Sequence, residues 1–404
     1  MTRPAPDVVL LFAARGARLF AYGFLSVVLA LYLDAVGLST GAIGVVLTLA
    51  LAGDAAVSLL ITTSADRLGR RRMLIAGAAL MAVGGAAFAS TEHALWLAVI
   101  ATIGVFSPSG HEVGPFLSIE QSSLSQLVRP DRRTHFFARY VLVGSFATAA
   151  GALAGGVTAD TLQRSGMTAL GSYRVLLWAY AAFGGVLLAM FARLSRGIEA
   201  THSPARAGAR FGLHRSRGPV LRLSALFALD SFGGGFVIQS LMALWFHARF
   251  GFDLASLGAL FFAANLVAGV SALFAARIAA RIGLVNTMVV THLPSNVLLC
   301  AVPLMPSAGL AVGVLLARFC ISQMDVPTRQ SYTMAIVDPD ERSAAAGITG
   351  IARSVGASIS PAMSGVLMGS PTLAGVPFFI AGGLKIVYDL LVYRGFRSVK
   401  PPEE

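Results

Sequence analysis

Long apolar runs, cut by short basic or Pro/Gly-rich stretches, organise this chain from end to end. A helix needs ~20 apolar residues to cross a bilayer, and twelve runs approach or exceed that length. The pattern predicts span 1 over about Val8–Leu33, span 2 over Thr40–Thr63, span 3 over Met73–Ser90 and a long span 4 over Ala94–Val128. Span 5 follows over His135–Asp160 and span 6 over Tyr173–Leu194. The stretch from Ser195 to Gly218 is rich in Arg and poor in large apolar residues, and it reads as a linker. Beyond it come span 7 (Val220–Phe246), span 8 (Asp253–Arg281), span 9 (Asn286–Pro306), span 10 (Ala308–Val337), span 11 (Arg342–Gly369) and span 12 (Thr372–Tyr393). The predicted fold class is therefore an all-α membrane protein. A six-helix bundle over 1–194 and a second over 219–404 are joined by a linker over 195–218.

Composition narrows the class further. Of 404 residues, 56% are hydrophobic and only 12% charged, against ~25% charged in soluble domains. Two cysteines, Cys300 and Cys320, rule out a disulfide scaffold, and the apolar content rules out disorder. The formal net charge of +12 could suit nucleic acid. Here, however, the basic residues sit in short clusters between apolar runs with no aromatic interleaving, so no nucleic-acid partner is expected. The N-terminal stretch carries Arg15 and Arg18 inside its apolar run and no small-residue cleavage site follows, so it reads as the approach to an uncleaved first helix.

The same clusters set an orientation. Arg67–Arg72, Arg129–Arg139, Arg193–Arg222, Arg277, Arg281, Arg342, Arg394, Arg397 and Lys400 fall on one side by helix parity, and Arg164, Arg174 and Arg249 on the other. The basic side faces the cytoplasm, which places both termini inside a cell inner (plasma) membrane. An internal repeat supports two halves. Gln121, Ser122, Val128, Pro130, Asp131 and Arg133 recur as Gln330, Ser331, Val337, Pro339, Asp340 and Arg342, each 209 residues later. Five of those six identities are not aliphatic. Ala65–Gly69 and Ala279–Gly283 give a weaker echo. Repeated halves are a common plan of secondary transporters.

The loop after span 2 reads Asp66-Arg67-Leu68-Gly69-Arg70-Arg71-Arg72. It resembles the G-x-x-x-D-R-x-G-R-R signature of the major facilitator superfamily, with Thr62 where the first Gly would stand. The resemblance in topology covers the whole chain. It implies that Asp66 caps the start of span 11 near Arg342 and Ser343 in one state, and that Arg67, Arg70 and Arg71 close a cytoplasmic gate. A carboxylate suits a helix N-terminus on physical grounds alone, and a plain topology anchor is the simpler reading of the cluster. In span 5, Gly144 and then Gly151-Ala152-Leu153-Ala154-Gly155-Gly156 resemble the G-P-x-x-G-G run of exporters in that family, with Ala152 in place of Pro. Span 11 carries Pro361 and Gly365 at the corresponding place. Small residues let membrane helices approach closely, and generic packing accounts for them equally.

Ionisable groups at bilayer depth are costly and mark function. Arg318, Asp325 and Arg329 fall within about 20° of one face of span 10, the span the resemblance sets against a central cavity. Asp325 and Arg329 suit an i,i+4 pair. Span 4 carries His111, Glu112 and Glu120, with a break expected over Pro108–Pro115. Glu112, near mid-span, is the first candidate proton carrier. Glu120, at the repeat position of Arg329, invites an interdomain bridge to it. Asp230 precedes Gly233-Gly234-Gly235 in span 7, where local unwinding is expected, and Asp54 is central in span 2; both are further proton candidates. Other features read as structural: Arg15 and Arg18 snorkelling at the interface, Lys385 with Asp389 as an i,i+4 pair, and Trp96, Trp178 and Trp245 as interfacial anchors. No G-x-x-x-x-G-K-[ST] loop, metal-ligand spacing or nucleophile triad occurs, so no cofactor, no metal and no enzyme activity is expected.

The sequence thus reads as a secondary transporter, a proton-coupled antiporter exporting a small polar or anionic molecule as a monomer in the lipid bilayer. An uptake permease for an organic anion, or a non-transporting receptor on the same fold, stands as the alternative.

Overall fold

The computed structural model describes residues 6–111, 116–128, 133–199, 215–338 and 341–397. Among them there is no strand, and ten helical spans are long and apolar enough to cross a membrane. Two more complete the set of twelve. One is the broken pair α5 (Ala94–Ile103) and α6 (Phe116–Leu127). The other is α16 (Arg342–Met368), whose Ser, Gly and Arg content lowers its hydropathy.

Several predicted spans are each two helices. Span 1 is α1 (Pro6–Ser26) and α2 (Leu29–Ala35), and span 7 is α9 (Arg217–Gly235) and α10 (Gln239–Phe250). Span 8 is α11 (Leu254–Ala272) and α12 (Ala275–Ile282), and span 10 is α14 (Ala308–Ser322) and α15 (Asp325–Ala335). The unbroken spans are α3 (Thr40–Leu68), α4 (Arg70–Ala89), α7 (Arg133–Arg164), α8 (Ala169–Ala192), α13 (Leu284–Ala301), α16 and α17 (Val376–Phe396). The glycine run ends α9 at Gly235, as its sequence predicted. Span 4 is not one long helix. It unwinds from Gly104, ahead of the expected Pro-rich break, and Val105 there has φ 53°. That conformation is strained for a β-branched residue, and the Tyr180 hydroxyl holds it by donating to the Val105 carbonyl at 2.6 Å.

Helix starts follow local chemistry. Ser39, Thr168 and Ser307 cap α3, α8 and α14 by accepting from Ala42, Gly171 and Leu310 N–H, which satisfies otherwise orphaned donors. Carboxylates from elsewhere in the chain cap two more. Glu199 accepts from the backbone of Arg70 (2.6 Å) and Arg71 (3.3 Å) at the start of α4. Glu341 accepts from Arg215 and Ser216, both at 2.9 Å, at the start of α9. Gly69, between α3 and α4, has φ 100° and lies 3.4 Å from the Glu199 carboxylate when given a Cβ.

Packing divides the chain into Met1–Pro204 with Gln239–Phe262, and Ala205–Ile238 with Ala263–Glu404. The repeat in the sequence places the divide at the 195–218 linker. Residues 239–262 pack with the first unit because Gln239 Nε2 donates to Ser26 Oγ (2.7 Å), Ser240 Oγ donates to the Ser26 carbonyl (2.6 Å), and Gly156 abuts Leu254 and Gly258.

In the first unit α1 lies directly on α7. A Cβ on Gly151 would sit 2.0 Å from the Phe20 carbonyl oxygen, and one on Gly155 would sit 2.2 Å from that of Phe24. Backbone cannot yield as a side chain does. Gly151→Val is therefore expected to cost about 3 kcal/mol and to lower the melting midpoint in detergent. Gly185→Ala, whose Cβ meets nothing within 4 Å, should leave it unchanged. In the second unit α9 and α16 approach in the same way, with Ser360 and Ser364 donating to the Phe232 and Phe236 carbonyls (2.6 and 2.8 Å). Pro361 and Gly365 are buried on the same stretch of α16.

Candidate functional site

The second unit encloses a network of charges contributed by α9, α13, α15 and α17. Asp230 sits on α9 one turn before its glycine end, and is 5% exposed. Its carboxylate accepts from Lys385 Nζ at 2.6 Å and from Arg329 Nη1 at 3.1 Å. The His292 Nε2 lies 3.8 Å from it. Asp325 opens α15, where a helix N-terminus favours negative charge, and pairs with Arg329 at 3.3 Å across one turn, as expected from the spacing. Asp389 closes the network from α17. His292 Nδ1 lies 2.8 Å from one of its oxygens and Asn296 Nδ2 donates to the other at 3.0 Å. The His292 ring is thus bracketed by two carboxylates, with Tyr388 edge-on at 5.9 Å and Phe227 beneath the Arg329 guanidinium at 5.3 Å.

Lys385 and Asp389 were expected to pair with each other along α17. Each instead reaches a different helix, because both face inward onto α9 and α13, where burial rewards a partner with further hydrogen bonds. His292, Asn296 and Arg353 had no place in the sequence reading. The i,i+4 spacings of His292 with Asn296 and of Lys385 with Asp389 were the available signal, two polar stripes on otherwise apolar spans. Arg318 is 9% exposed on α14, its guanidinium 4.9 Å from the Phe319 ring. Its Nε, and that of Arg353 on α16, are buried without a hydrogen-bond partner.

The first unit carries a separate buried pair. Arg18 and Glu120 are both 0% exposed and meet through two hydrogen bonds, at 2.7 and 2.8 Å. The Tyr140 hydroxyl donates to the same carboxylate, and the Phe116 ring flanks the guanidinium at 4.6 Å. Arg15 donates to the Tyr140 carbonyl at 2.7 Å. Neither arginine snorkels to an interface as expected, because α6 and α7 supply polar partners at depth. Glu120 and Arg329 each have partners inside their own unit, Glu120 with Arg18 and Arg329 with Asp230 and Asp325. Glu120 is thus an internal strut of the first unit. The two sites are related by the repeat with the charges exchanged, an acid on α6 facing a base on α1, and a base on α15 facing an acid on α9.

The remaining predicted residues are dispersed. Glu112 lies outside the described residues, as does the side chain of Asp66. His111 is exposed at the end of the unwound stretch, its carbonyl accepting from Ser107 Oγ at 2.7 Å. Asp54 is half-buried on α3. In the basic loop Arg67 is exposed, while Arg70 is buried and donates to the Ile198 carbonyl at 3.3 Å. Arg71 donates to the Ala192 carbonyl. Thr62, in place of the motif glycine, lies 3.1 Å from Ser118 through its hydroxyl. Trp96 and Trp178 are exposed, but Trp245 is buried against Phe246 and Phe250 rather than anchored at an interface. Among the described residues no group of three or more His, Cys, Asp or Glu could hold a metal.

Twelve apolar spans, several broken at polar depth, around buried charge networks in both units define a polytopic membrane transporter rather than an enzyme. The Major Facilitator Superfamily profile matches residues 11–361, and the chain belongs to that family. It is 30% identical over 427 aligned residues to "Uncharacterized membrane protein YJR124C" of Saccharomyces cerevisiae (strain ATCC 204508 / S288c), an alignment spanning 97% of this chain and 94% of that one. Among solved structures it resembles a mutant of the nucleoside transporter NupG (TM-score 0.76, 14% identity, 96% of this chain and 99% of that). It also resembles a D-xylose-proton symporter (0.74, 15%, 96% and 97%). A third likeness is to a bacterial homolog of the human lysosomal transporter Spinster, inward-facing and unoccupied (0.72, 14%, 96% and 94%). At these identities the structural likeness establishes the fold alone.

Proposed function

We propose that this chain moves a small polar or anionic molecule by alternating access, coupled to protons. The observation that carries the proposal is the His292 ring held between Asp389 and Asp230, with Lys385 and Arg329 on the second carboxylate. An imidazole with a carboxylate on each side can take a proton from one and release it to the other, and such a transfer would redistribute the ion pairs of the network. That redistribution biases a two-state equilibrium only through its different free energies in the two states. The likeness to a D-xylose-proton symporter supports proton coupling on this fold. The basic loops support a plasma-membrane protein with both termini inside. The proposed direction is export in exchange for protons, resting on the Asp66 loop and the small-residue run of span 5.

Uptake of an organic anion is the second reading. The observation favouring it is the cation content of the second unit, where Arg329 and Lys385 pair with Asp230 while, among the described residues, the Nε of Arg318 and that of Arg353 find no acceptor.

The test uses the full chain in liposomes loaded with a pH-sensitive dye, challenged with a panel of organic anions, cations and neutral polar molecules. A compound-evoked pH change is expected for wild type and its loss for His292→Gln, with the melting midpoint within a few degrees of wild type. A compound that crosses with no pH change in wild type rejects proton coupling.

A further inference from the structure

The two carboxylates beside His292 meet the ring on unlike terms. On one side Asp389 Oδ1 lies 2.8 Å from Nδ1, at hydrogen-bond distance. On the other, Asp230 Oδ1 lies 3.8 Å from Nε2, outside hydrogen-bond range, and Lys385 Nζ already donates to that oxygen at 2.6 Å. Asn296 secures the closer side. It sits one turn beyond His292 on α13, which packs along α17, and it is fully buried. Its Nδ2 donates to the second oxygen of Asp389 at 3.0 Å and lies 3.2 Å from His292 Nδ1. The Asn296 Oδ1 is enclosed without a hydrogen-bond partner among the described residues. Turning the amide over would set that oxygen against the carboxylate, so Asp389 dictates its orientation. A neutral imidazole carries one N–H, and a carboxylate has acceptors only. With the hydrogen on Nδ1, the ring donates to Asp389. With the hydrogen on Nε2, Nδ1 and Asp389 either oppose two lone pairs or need a proton on the carboxyl group. In both of those cases the Nε2 hydrogen finds Asp230 out of range, and an unmade buried hydrogen bond is costly.

We propose that Asn296 is a positioning residue: through Asp389 it fixes His292 as the Nδ1–H tautomer, and so orders proton transfer from Asp230 to Nε2 and then from Nδ1 to Asp389. Once Asp230 has taken up a proton, its O–H bond breaks as the Nε2 lone pair forms an N–H bond. The Nδ1–H bond pair then stays on the ring as Asp389 Oδ1 gains the proton, so one proton enters the ring and one leaves. The opposite order is closed to the resting ring, because its Nδ1 already carries hydrogen and has no lone pair to offer Asp389. Among the described residues the groups around the ring are Asp230 on α9, Arg329 on α15 through Asp230, and Lys385, Tyr388 and Asp389 on α17. The order of transfer rests on the proton-coupled reading above, while the resting tautomer requires no gradient.

The experiment is a nitrogen NMR spectrum of the full chain in a neutral detergent, isotopically labelled at histidine. The His292 resonances are assigned by their absence from His292→Gln, and two-bond couplings to the carbon-bound ring hydrogens tell Nε2 from Nδ1. The neutral wild-type ring is expected to carry its hydrogen on Nδ1 and a lone pair on Nε2. Asn296→Leu, close in volume and without a donor, should lower the ratio of Nδ1–H to Nε2–H roughly 10-fold, in keeping with the loss of a hydrogen bond to a charged group. It should slow compound-evoked proton movement in liposomes by a similar factor, and Asn296→Gln, which keeps the amide, should recover part of both. If the leucine variant does not fold, Asn296→Ala carries the same comparison. A merely structural asparagine would lower the melting midpoint and leave the ring resonances where they are. A wild-type ring with its hydrogen on Nε2, or an unchanged ring spectrum in a folded variant without the amide, overturns the proposal. An Nδ1–H ring that responds to Asn296→Leu, with no compound evoking a pH change in wild type, retains the positioning role and rejects proton coupling. An evoked pH change from a wild type whose ring carries its hydrogen on Nε2 does the reverse.

Discussion

Glu120→Leu is expected to destabilise the protein by about 3–5 kcal/mol, the usual cost of removing one partner of a buried ion pair. The variant leaves the Arg18 guanidinium at 0% exposure with neither of its carboxylate bonds. The neighbouring Phe116 ring offers only a cation–π contact, worth about 2 kcal/mol when desolvated, and that contact exists already. Tyr140 loses its acceptor in the same change. The double variant Arg18→Met/Glu120→Leu should recover most of the loss, because it replaces two buried charges by apolar groups of similar volume. Thermal unfolding in detergent, followed by tryptophan fluorescence, checks both. A single variant as stable as wild type, or a double variant no better than the single, would show that the pair is solvated or that the carboxylate acts elsewhere.

That pair also shows how much of the architecture the sequence made legible. The repeat placed Glu120 opposite Arg329 in register, and the structure keeps the correspondence while giving each residue a partner inside its own unit. Hydropathy located the spans, the glycine run marked the end of α9, and the i,i+4 spacing identified Asp325 with Arg329. Each of those is a property of one helix. What was not legible depends on how two helices are rotated against each other. Lys385 and Asp389 share a face of α17, so spacing suggested a mutual pair. The face is turned toward Asp230 and His292, which Lys385 and Asp389 meet at 2.6 and 2.8 Å. The i,i+4 spacing of His292 with Asn296 marks a polar stripe on an apolar span, but not the carboxylates of α9 and α17 that it faces. Arg15 and Arg18 resembled interfacial residues because a single sequence does not show the carboxylate and carbonyl acceptors that α6 and α7 present to them. Arg353 was passed over because nothing on its own helix marks it out.

Asp230→Asn is expected to have the largest functional effect of any single change, lowering compound-evoked proton movement by about 100-fold or to background. A loss of about 3 kcal/mol in a required charged contact corresponds to that factor. One carboxylate here neutralises two cations and faces the imidazole from its second side. Asparagine keeps the shape and one acceptor but withdraws the charge, leaving Lys385 without a carboxylate and Arg329 with Asp325 alone. The network then carries one negative charge fewer, and His292 loses the carboxylate that faced it from α9. Stability should fall as well, and the pairing must be separated from the coupling. Asp230→Asn/Lys385→Met restores neutrality around position 230 and should return most of the melting midpoint. It should not return the proton response, because His292 still faces no carboxylate from α9. If the double variant regains both, Asp230 serves packing alone, and the proton path must run through Asp389 or a residue outside the network.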